Sequence, residues 1–244
     1  MSDEGEQIKE LVRGIRRYQP RIGGKKLYKL LGADLKGRIG RDKFFDVLRT
    51  ENLLVKRRKK YVKTTASWHR FHKYKNTIKH RLLTGSNQAY VSDITYLRTR
   101  QGFLYLFLQT DAYSRKITGW WLSESLSISG AIRALKKTIA QSGGQTRGAI
   151  HHSDRGIQYC CKEYVNLLQR HGMEISMTEE NHCYENAIAE RVNGILKDEF
   201  LLDETFIDKA SALKAVREAI TSYNVRRPHW SLNLLTPQQA HLVA

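Results

Sequence analysis

The sequence predicts a mixed α/β layer, a sheet with helices on its faces, preceded by a small all-α module. Three observations predict it. Lys and Arg crowd the first third of the chain. A β-rich texture begins near residue 89. From there the pattern reads β-β-β-α-β-α-β-α. With 244 residues, 41% of them hydrophobic, the chain can bury a real core over one or two domains.

The elements follow in order. Ile8, Leu11, Val12 and Ile15 recur at helical spacing, so a first helix ends near Tyr18-Gln19-Pro20. Lys25 to Leu31 reads as a second helix after Gly23-Gly24, Gly37 to Gly40 breaks the chain, and Asp42 to Asn52 reads as a third. Three short helices with tight turns and a basic surface suit a helix-turn-helix-like domain over 1–55. Residues 56–88 read as a basic linker, and 89–244 as the α/β unit. Ala89 to Leu97 and Phe103 to Thr110 are strands joined by a hairpin at Arg100-Gln101-Gly102, and Lys116 to Leu122 is a third strand. Ile128 to Ala140 is helical, Gly148 to His152 is a buried strand, and Lys162 to His171 is a helix. Glu174 to Met177 is a short strand, followed by helices over Ala187 to Phe200 and Lys209 to Tyr223. There is no internal repeat and no low-complexity segment.

Charge narrows the partner. The net charge is +18, and residues 1–90 carry 24 Lys+Arg against 8 Asp+Glu, leaving only +2 for the remainder. So concentrated a positive field seeks a polyanion. The tract Lys56-Arg57-Arg58-Lys59-Lys60 is followed by aromatics interleaved with cations, Trp68 to Lys75. It lacks the amphipathic period of a membrane-surface helix, so nucleic acid is the expected partner over a membrane or a merely solvated linker. The longest apolar run is six residues, Phe103 to Leu108, too short for a membrane span. The acidic start, Met1 to Glu6, is unlike a secretory signal, and three cysteines (Cys160, Cys161, Cys183) do not make a disulfide framework, so a reducing, cytoplasmic setting is expected. A zinc site from His151, His152, Cys160, Cys161, His182 and Cys183 is disfavoured, because adjacent pairs lack the two-to-four-residue gaps of structural zinc ligands.

Four acids stand out. Asp93 sits inside a strand, Asp111 ends the next, Asp154 follows the fourth, and Glu190 lies on the helix near 187–200. A carboxylate within an apolar strand is costly unless it is paired or metal-bound. Asp154 falls where α/β sheets place their sites, past a strand's carboxyl end. On a wheel with Glu190 at zero, Asn193 and Lys197 fall at about 300° and 340°, opposite Ile188, Val192, Ile195 and Leu196. Glu190 therefore shares a polar face with Asn193 and Lys197, as either a solvated face or a carboxylate aimed at a metal. Three carboxylates from separate elements suit phosphodiester chemistry, in which two Mg²⁺ ions bind the attacking and leaving oxygens.

The ordered motifs resemble a known family. They are Asp93-Ile94-Thr95-Tyr96, Asp111-Ala112-Tyr113-Ser114-Arg115, His152-Ser153-Asp154-Arg155-Gly156-Ile157-Gln158-Tyr159, Ser176-Met177, and Asn186-Ala187-Ile188-Ala189-Glu190. Tyr223-Asn224-Val225-Arg226-Arg227-Pro228-His229 with Thr236-Pro237 completes the set. It resembles the DDE transposases of IS3-type insertion sequences over roughly residues 20–244, and the 35 residues between Asp154 and Glu190 match that family's spacing. The resemblance implies an RNase H-like integrase catalytic core, a mixed five-stranded sheet flanked by helices. It implies Asp93, Asp154 and Glu190 as the metal-binding catalytic triad, with two Mg²⁺ ions and Mn²⁺ as substitute, and Asp111 in a supporting motif accepting hydrogen bonds near Ser114 and Arg115. Lys197 matches a position that approaches DNA, alongside the tract Lys56 to Lys60. His152 orients a carboxylate, contacts DNA, or is a buried structural histidine. Two departures are Glu185, where the family usually has Asp, and Asn181 to Tyr184, which lacks the usual Gly-Asn-Pro character.

The resemblance implies Mg²⁺-dependent strand cleavage and strand transfer at insertion-sequence ends by a bacterial, nucleoid-associated enzyme. Its partners are double-stranded element ends and target, and it is at least a dimer on DNA. The chain lacks a heptad zipper, so an upstream helix-turn-helix protein is a further expected partner. The alternatives are a catalytically inactive or regulatory DNA-binding derivative, and a simple nuclease that cuts without joining.

Overall fold

The computed structural model describes residues 3–35, 39–56, 72–179 and 186–243. The tract from Arg57 to Lys60 and the departures at 181–185 lie outside the described residues. The helical region comprises α1 (Asp3–Arg16), α2 (Gly24–Leu30), α3 (Gly32–Leu35) and α4 (Arg41–Thr50). Ile8 and Val12 of α1, Leu27 of α2, and Phe44 and Leu48 of α4 bury their apolar faces around Ile22, Leu31, Leu35 and Ile39. The four-residue α3 follows α2 directly and is too short to carry a period of its own.

The second unit holds β1 (Ala89–Thr99), β2 (Gly102–Asp111), β3 (Ile117–Ser123), α5 (Ile128–Gln141), β4 (Ile150–Ser153), α6 (Ile157–Cys160), α7 (Lys162–Arg170) and β5 (Glu174–Met177). It continues with α8 (Ala187–Glu199), β6 (Thr205–Phe206), α9 (Lys209–Val225) and α10 (Pro237–Leu242). The sheet order is β3-β2-β1-β4-β5, with the two-residue β6 added to the five expected strands by pairing with β1. β1 is antiparallel to β2 and parallel to β4, so the sheet is mixed as expected. Helices cover both faces. Ala131, Ala134 and Leu135 of α5 pack with Phe107, Tyr164 and Leu168, while α8 and α9 bring Val192, Ile195, Leu196, Val216 and Ile220 against Leu97, Leu106 and Leu122.

Residues 72–88, within the expected linker, run against this unit. Met177 N–H donates to the Lys75 carbonyl at 3.3 Å, and Ser176 Oγ accepts the Thr77 N–H at 2.9 Å. The helical region docks on the other side. Arg21 N–H donates to the Glu199 carbonyl, Gln19 Nε2 donates to the Arg226 carbonyl, and the Arg226 guanidinium stacks 3.7 Å from the Tyr18 ring centroid.

The packing of α5 on β3 depends on a missing side chain. A Cβ at Gly119 would stand 2.2 Å from the Ala134 carbonyl oxygen and 2.4 Å from Thr138 Oγ1. Gly119→Ala is therefore expected to destabilise the fold by roughly 1–3 kcal/mol, read as a lower midpoint in urea denaturation with an unchanged slope.

Candidate functional site

Asp93 stands midway along β1, opposite Leu108 of β2. On its other side β1 pairs with β4, Ser92 beside Ser153, so the next position on each strand sets Asp93 beside Asp154. Asp154 has just left β4 at its carboxyl end. Its Oδ1 accepts the N–H of Gly156 at 3.0 Å. A Cβ on Gly156 would lie 2.9 Å from that oxygen, so a larger residue there would press the carboxylate out of its present position.

Glu190 lies in the first turn of α8 with its side chain exposed, while Ala189 beside it packs among Ala89, Val91, Ala112 and Ile150. Two asparagines pin this helix to β1. Asn186 Nδ2 donates to the Ser92 carbonyl at 3.1 Å, and Asn193 Nδ2 donates to Asp93 Oδ2 at 2.7 Å. Asp93 Oδ1 accepts the N–H of Ile94 at 2.9 Å. Helical periodicity groups Asn193 with Glu190 on a polar face, yet Asn193 is buried. The hydrogen bond to a carboxylate compensates the burial of its amide nitrogen, while its Oδ1 is buried without a partner. Sequence reasoning missed that role, although a second polar residue three positions after Glu190, bordering the apolar stripe, was its signal.

Burial pushes the Asp93 carboxyl up to about 7, and the negative charge of Asp154 and, less strongly, of Glu190 adds to it; the Ile94 N–H and Asn193 pull the other way. Asp93 thus lies within the field of both other acids expected from the sequence. Among the described residues, no three His, Cys, Asp or Glu side chains enclose an ion-sized site as they stand. Asp111 is placed elsewhere. It pairs with Tyr90, three positions before Asp93 on β1 or roughly 10 Å at the strand rise. Fully buried, it accepts from the Asn87 N–H, the Ser114 N–H and Ser114 Oγ, each at 2.7 Å, and so staples the turn after β2 as the resemblance implied.

Under Asp93 lies a polar network. Ser92 Oγ donates to Gln109 Oε1 at 2.6 Å, and Gln109 Nε2 donates to the Tyr164 hydroxyl at 2.9 Å. His151 Nε2 sits 2.8 Å from that hydroxyl and 2.6 Å from Ser92 Oγ. Burial pushes His151 down to about 3, so its imidazole is neutral. His152 is also buried, its Nδ1 2.9 Å from Ser176 Oγ, which fits the structural alternative. The Cys160 thiol is buried 3.6 Å from the Met177 sulfur and pushed up to about 11, chiefly by burial, unlike a metal-binding thiolate. Lys197 Nζ lies 4.3 Å from the Tyr96 ring centroid, and burial lowers its pKa against the opposing charges of Asp203 and Asp93. Lys56 is exposed and its carbonyl accepts from Arg21 at 2.6 Å.

Comparison with known proteins points to the same fold. An integrase core domain family model matches residues 84–183, and a second integrase core domain model matches residues 171–237. The chain is 33% identical over 201 residues to the insertion element IS600 uncharacterized 31 kDa protein of Shigella sonnei, covering 82% of this chain and 74% of that one. It is 37% identical over 157 residues to the transposase InsF for insertion sequence IS3A of Escherichia coli K12, covering 64% of this chain and about half, 54%, of that relative. Among solved structures, the HTLV-2 integrase catalytic core domain in complex with magnesium aligns with a TM-score of 0.52 at 17% identity, over 65% of this chain and 98% of that one. A simian T-cell lymphotropic virus intasome in complex with a PP2A regulatory subunit aligns with a TM-score of 0.56 at 16% identity, over 94% of this chain and 74% of that one. At these identities the structural likeness shows a shared fold, the integrase catalytic core.

The raised Asp93 fixes the sign of a pH effect. Its folded pKa lies above the unfolded value, so the native state favours the proton and loses stability as pH rises from about 4 through about 7. In EDTA, Asp93→Asn is expected to exceed the wild type in stability at pH 8 by on the order of 1 kcal/mol or more. The gap closes towards pH 4, as followed by urea denaturation across that range.

Proposed function

The chain belongs to the IS3-family transposases, and on that premise we propose that it catalyses divalent-metal-dependent cleavage and strand transfer at insertion-sequence ends. The observation that carries the reading is the strand pairing that sets Asp93 beside Asp154, where burial first, and then the charges of Asp154 and Glu190, raise the Asp93 carboxyl. Such crowding is relieved by a divalent cation, and carboxylate oxygens are the hard donors that Mg²⁺ takes. Asp93, Asp154 and Glu190 are the residues that would hold a pair of Mg²⁺ ions, with Mn²⁺ as substitute. When bound, such a pair supplies Lewis-acid stabilisation to the attacking and leaving oxygens of an in-line displacement.

The chain's own residues supply position. Asn193 and the Ile94 N–H fix both oxygens of Asp93, and the turn at Gly156 fixes Asp154. Glu190, exposed at the start of α8, completes the acidic face by rotating about its side-chain torsions. Lys197, seated on Tyr96 within the field of Asp93, meets a phosphate of the bound strand. In the first step water attacks a phosphodiester at the element end and breaks its bond to the 3′ oxygen, freeing a 3′-OH. In the second, that 3′-OH attacks a target phosphodiester, so one P–O bond forms as another breaks. Orientation and electrostatics account for the rate, with no covalent enzyme intermediate.

The basic first third, including the tract Lys56 to Lys60, holds double-stranded element end and target by their phosphates. Pairing two ends calls for at least a dimer, and an upstream helix-turn-helix protein is the further partner.

Asp154→Asn is expected to lower joining of labelled end DNA in Mg²⁺ by on the order of 10³-fold or more while DNA binding is retained. Joining at the wild-type rate in that variant contradicts the reading. Wild-type protein that cuts without joining is a simple nuclease. Protein that binds but does neither in Mg²⁺ or Mn²⁺ is the inactive or regulatory derivative.

A further inference from the structure

A cavity of about 360 Å³ opens where α2 of the helical region meets α8 and the segment that follows α9. Its wall carries four cations, Lys26, Arg115, Arg191 and Arg227, and no carboxylate. One acid beside it answers them. Glu199 takes Arg227 in a bidentate pair at 2.6 and 2.8 Å and stands 3.7 Å from Lys26 Nζ. Arg191 is exposed and forms no ion pair among the described residues, and Arg115 spends one guanidinium N–H on the Ala112 carbonyl. Positive charge therefore remains in excess.

Two neighbours register that excess. Lys26 is pushed down to about 8, first by burial and then by Arg227 and Arg191, with Glu199 opposing. His229 also lines the cavity and is only 7% exposed, with its Nε2 buried and without a hydrogen-bond partner. Burial and the charges of Arg227, Lys26, Arg115 and Arg191 push it down to about 2, so its neutral ring adds polarity without charge. At the rim Trp230 is half-exposed, a surface on which a sugar or base can stack.

We propose that this cavity is a phosphate-binding site, filled by a phosphodiester of the DNA strand that approaches α8. The three incompletely neutralised cations, Lys26, Arg115 and Arg191, match a phosphate's charge and its several acceptor oxygens. The volume exceeds a lone phosphate and leaves room for the adjoining sugar. Ala187, Ile188 and Arg191 of α8 belong to the same wall, so a strand held here lies against that helix. The choice of DNA as the source of the phosphate rests on the function proposed above; the cavity's chemistry does not.

The test uses the full chain with Arg191→Gln, Lys26→Met and, as control, Lys136→Gln on α5 across the sheet. Binding of a fluorescent duplex oligonucleotide is titrated over a salt series. Thermal stability is measured with inorganic phosphate against chloride at equal ionic strength. For each cavity variant the slope of log K against log salt is expected to fall by about one, with a several-fold loss of affinity, while the control keeps its slope. Stabilisation of the wild type by phosphate, lost in both cavity variants but without a change of DNA slope, assigns the same site to free phosphate. Unchanged slopes together with no phosphate-specific stabilisation overturn the proposal. Arg191 lies on an exposed helix surface, so its variant keeps the test valid if Lys26→Met does not fold. The readout is binding, so these slopes stand or fall separately from the joining activity of Asp154→Asn.

Discussion

The hydrogen bond from Asn193 Nδ2 to Asp93 Oδ2, 2.7 Å long, joins the two elements on which the acidic face depends. Without it, α8 would be held to β1 near Asp93 by apolar contacts and by the Asn186 bond to the Ser92 carbonyl alone, and a carboxylate in mid-strand would lose its side-chain partner. The bond acts in both directions. It satisfies the amide nitrogen of the buried Asn193, and it fixes the phase of α8, which carries Glu190 one turn earlier. The network of Ser92, Gln109, Tyr164 and His151 beneath it is built from neutral groups, so the negative charge of this region is confined to the three acids above.

The carboxyl-terminal segment bolts the molecule together. Asn224 pairs with both backbone groups of Ile117, its Oδ1 and Nδ2 each 2.9 Å away, and Tyr223 donates to the Arg115 carbonyl at 3.0 Å. Arg227 is 3% exposed and holds Glu199 at the end of α8. Breaking so buried a pair by removing one partner costs about 3–5 kcal/mol. The same segment receives Gln19 and Tyr18 from the helical region, so α8 is fixed at its start by β1 and at its end by the docked helices. The cavity lined by Lys26 and Arg191 lies in that joint.

Long periodic elements were legible in the sequence. The pattern of Ile8, Leu11, Val12 and Ile15 marked α1, which ends at Arg16, short of the expected Tyr18-Gln19-Pro20, and β-rich runs marked β1 to β3, with ends within about two residues of the structure. The four-residue α3 and α6 and the two-residue β6 were not legible, because so few residues carry no period. α10 begins at a capping box, Thr236 accepting from the Gln239 N–H, with Pro237 in its first turn, a local signal that a motif reading passes over. At the candidate site, chemistry and spacing singled out Asp93, Asp154 and Glu190. They could not show that Asn193 turns inward, since a helical wheel assigns faces by polarity and a compensated polar residue breaks that rule. Nor could they show that Asp111 is consumed by its own turn: two carboxylates ending in similar strands look alike until their hydrogen bonds are counted.

The central claim is that Asp93, Asp154 and Glu190 share bound divalent ions. Anomalous diffraction from crystals grown in Mn²⁺ tests it most directly. The account predicts density between the carboxylates of Asp93 and Asp154, at about 2–2.2 Å from their oxygens, with Glu190 turned in to complete the coordination. Density confined to other parts of the molecule, or none at saturating Mn²⁺, contradicts it.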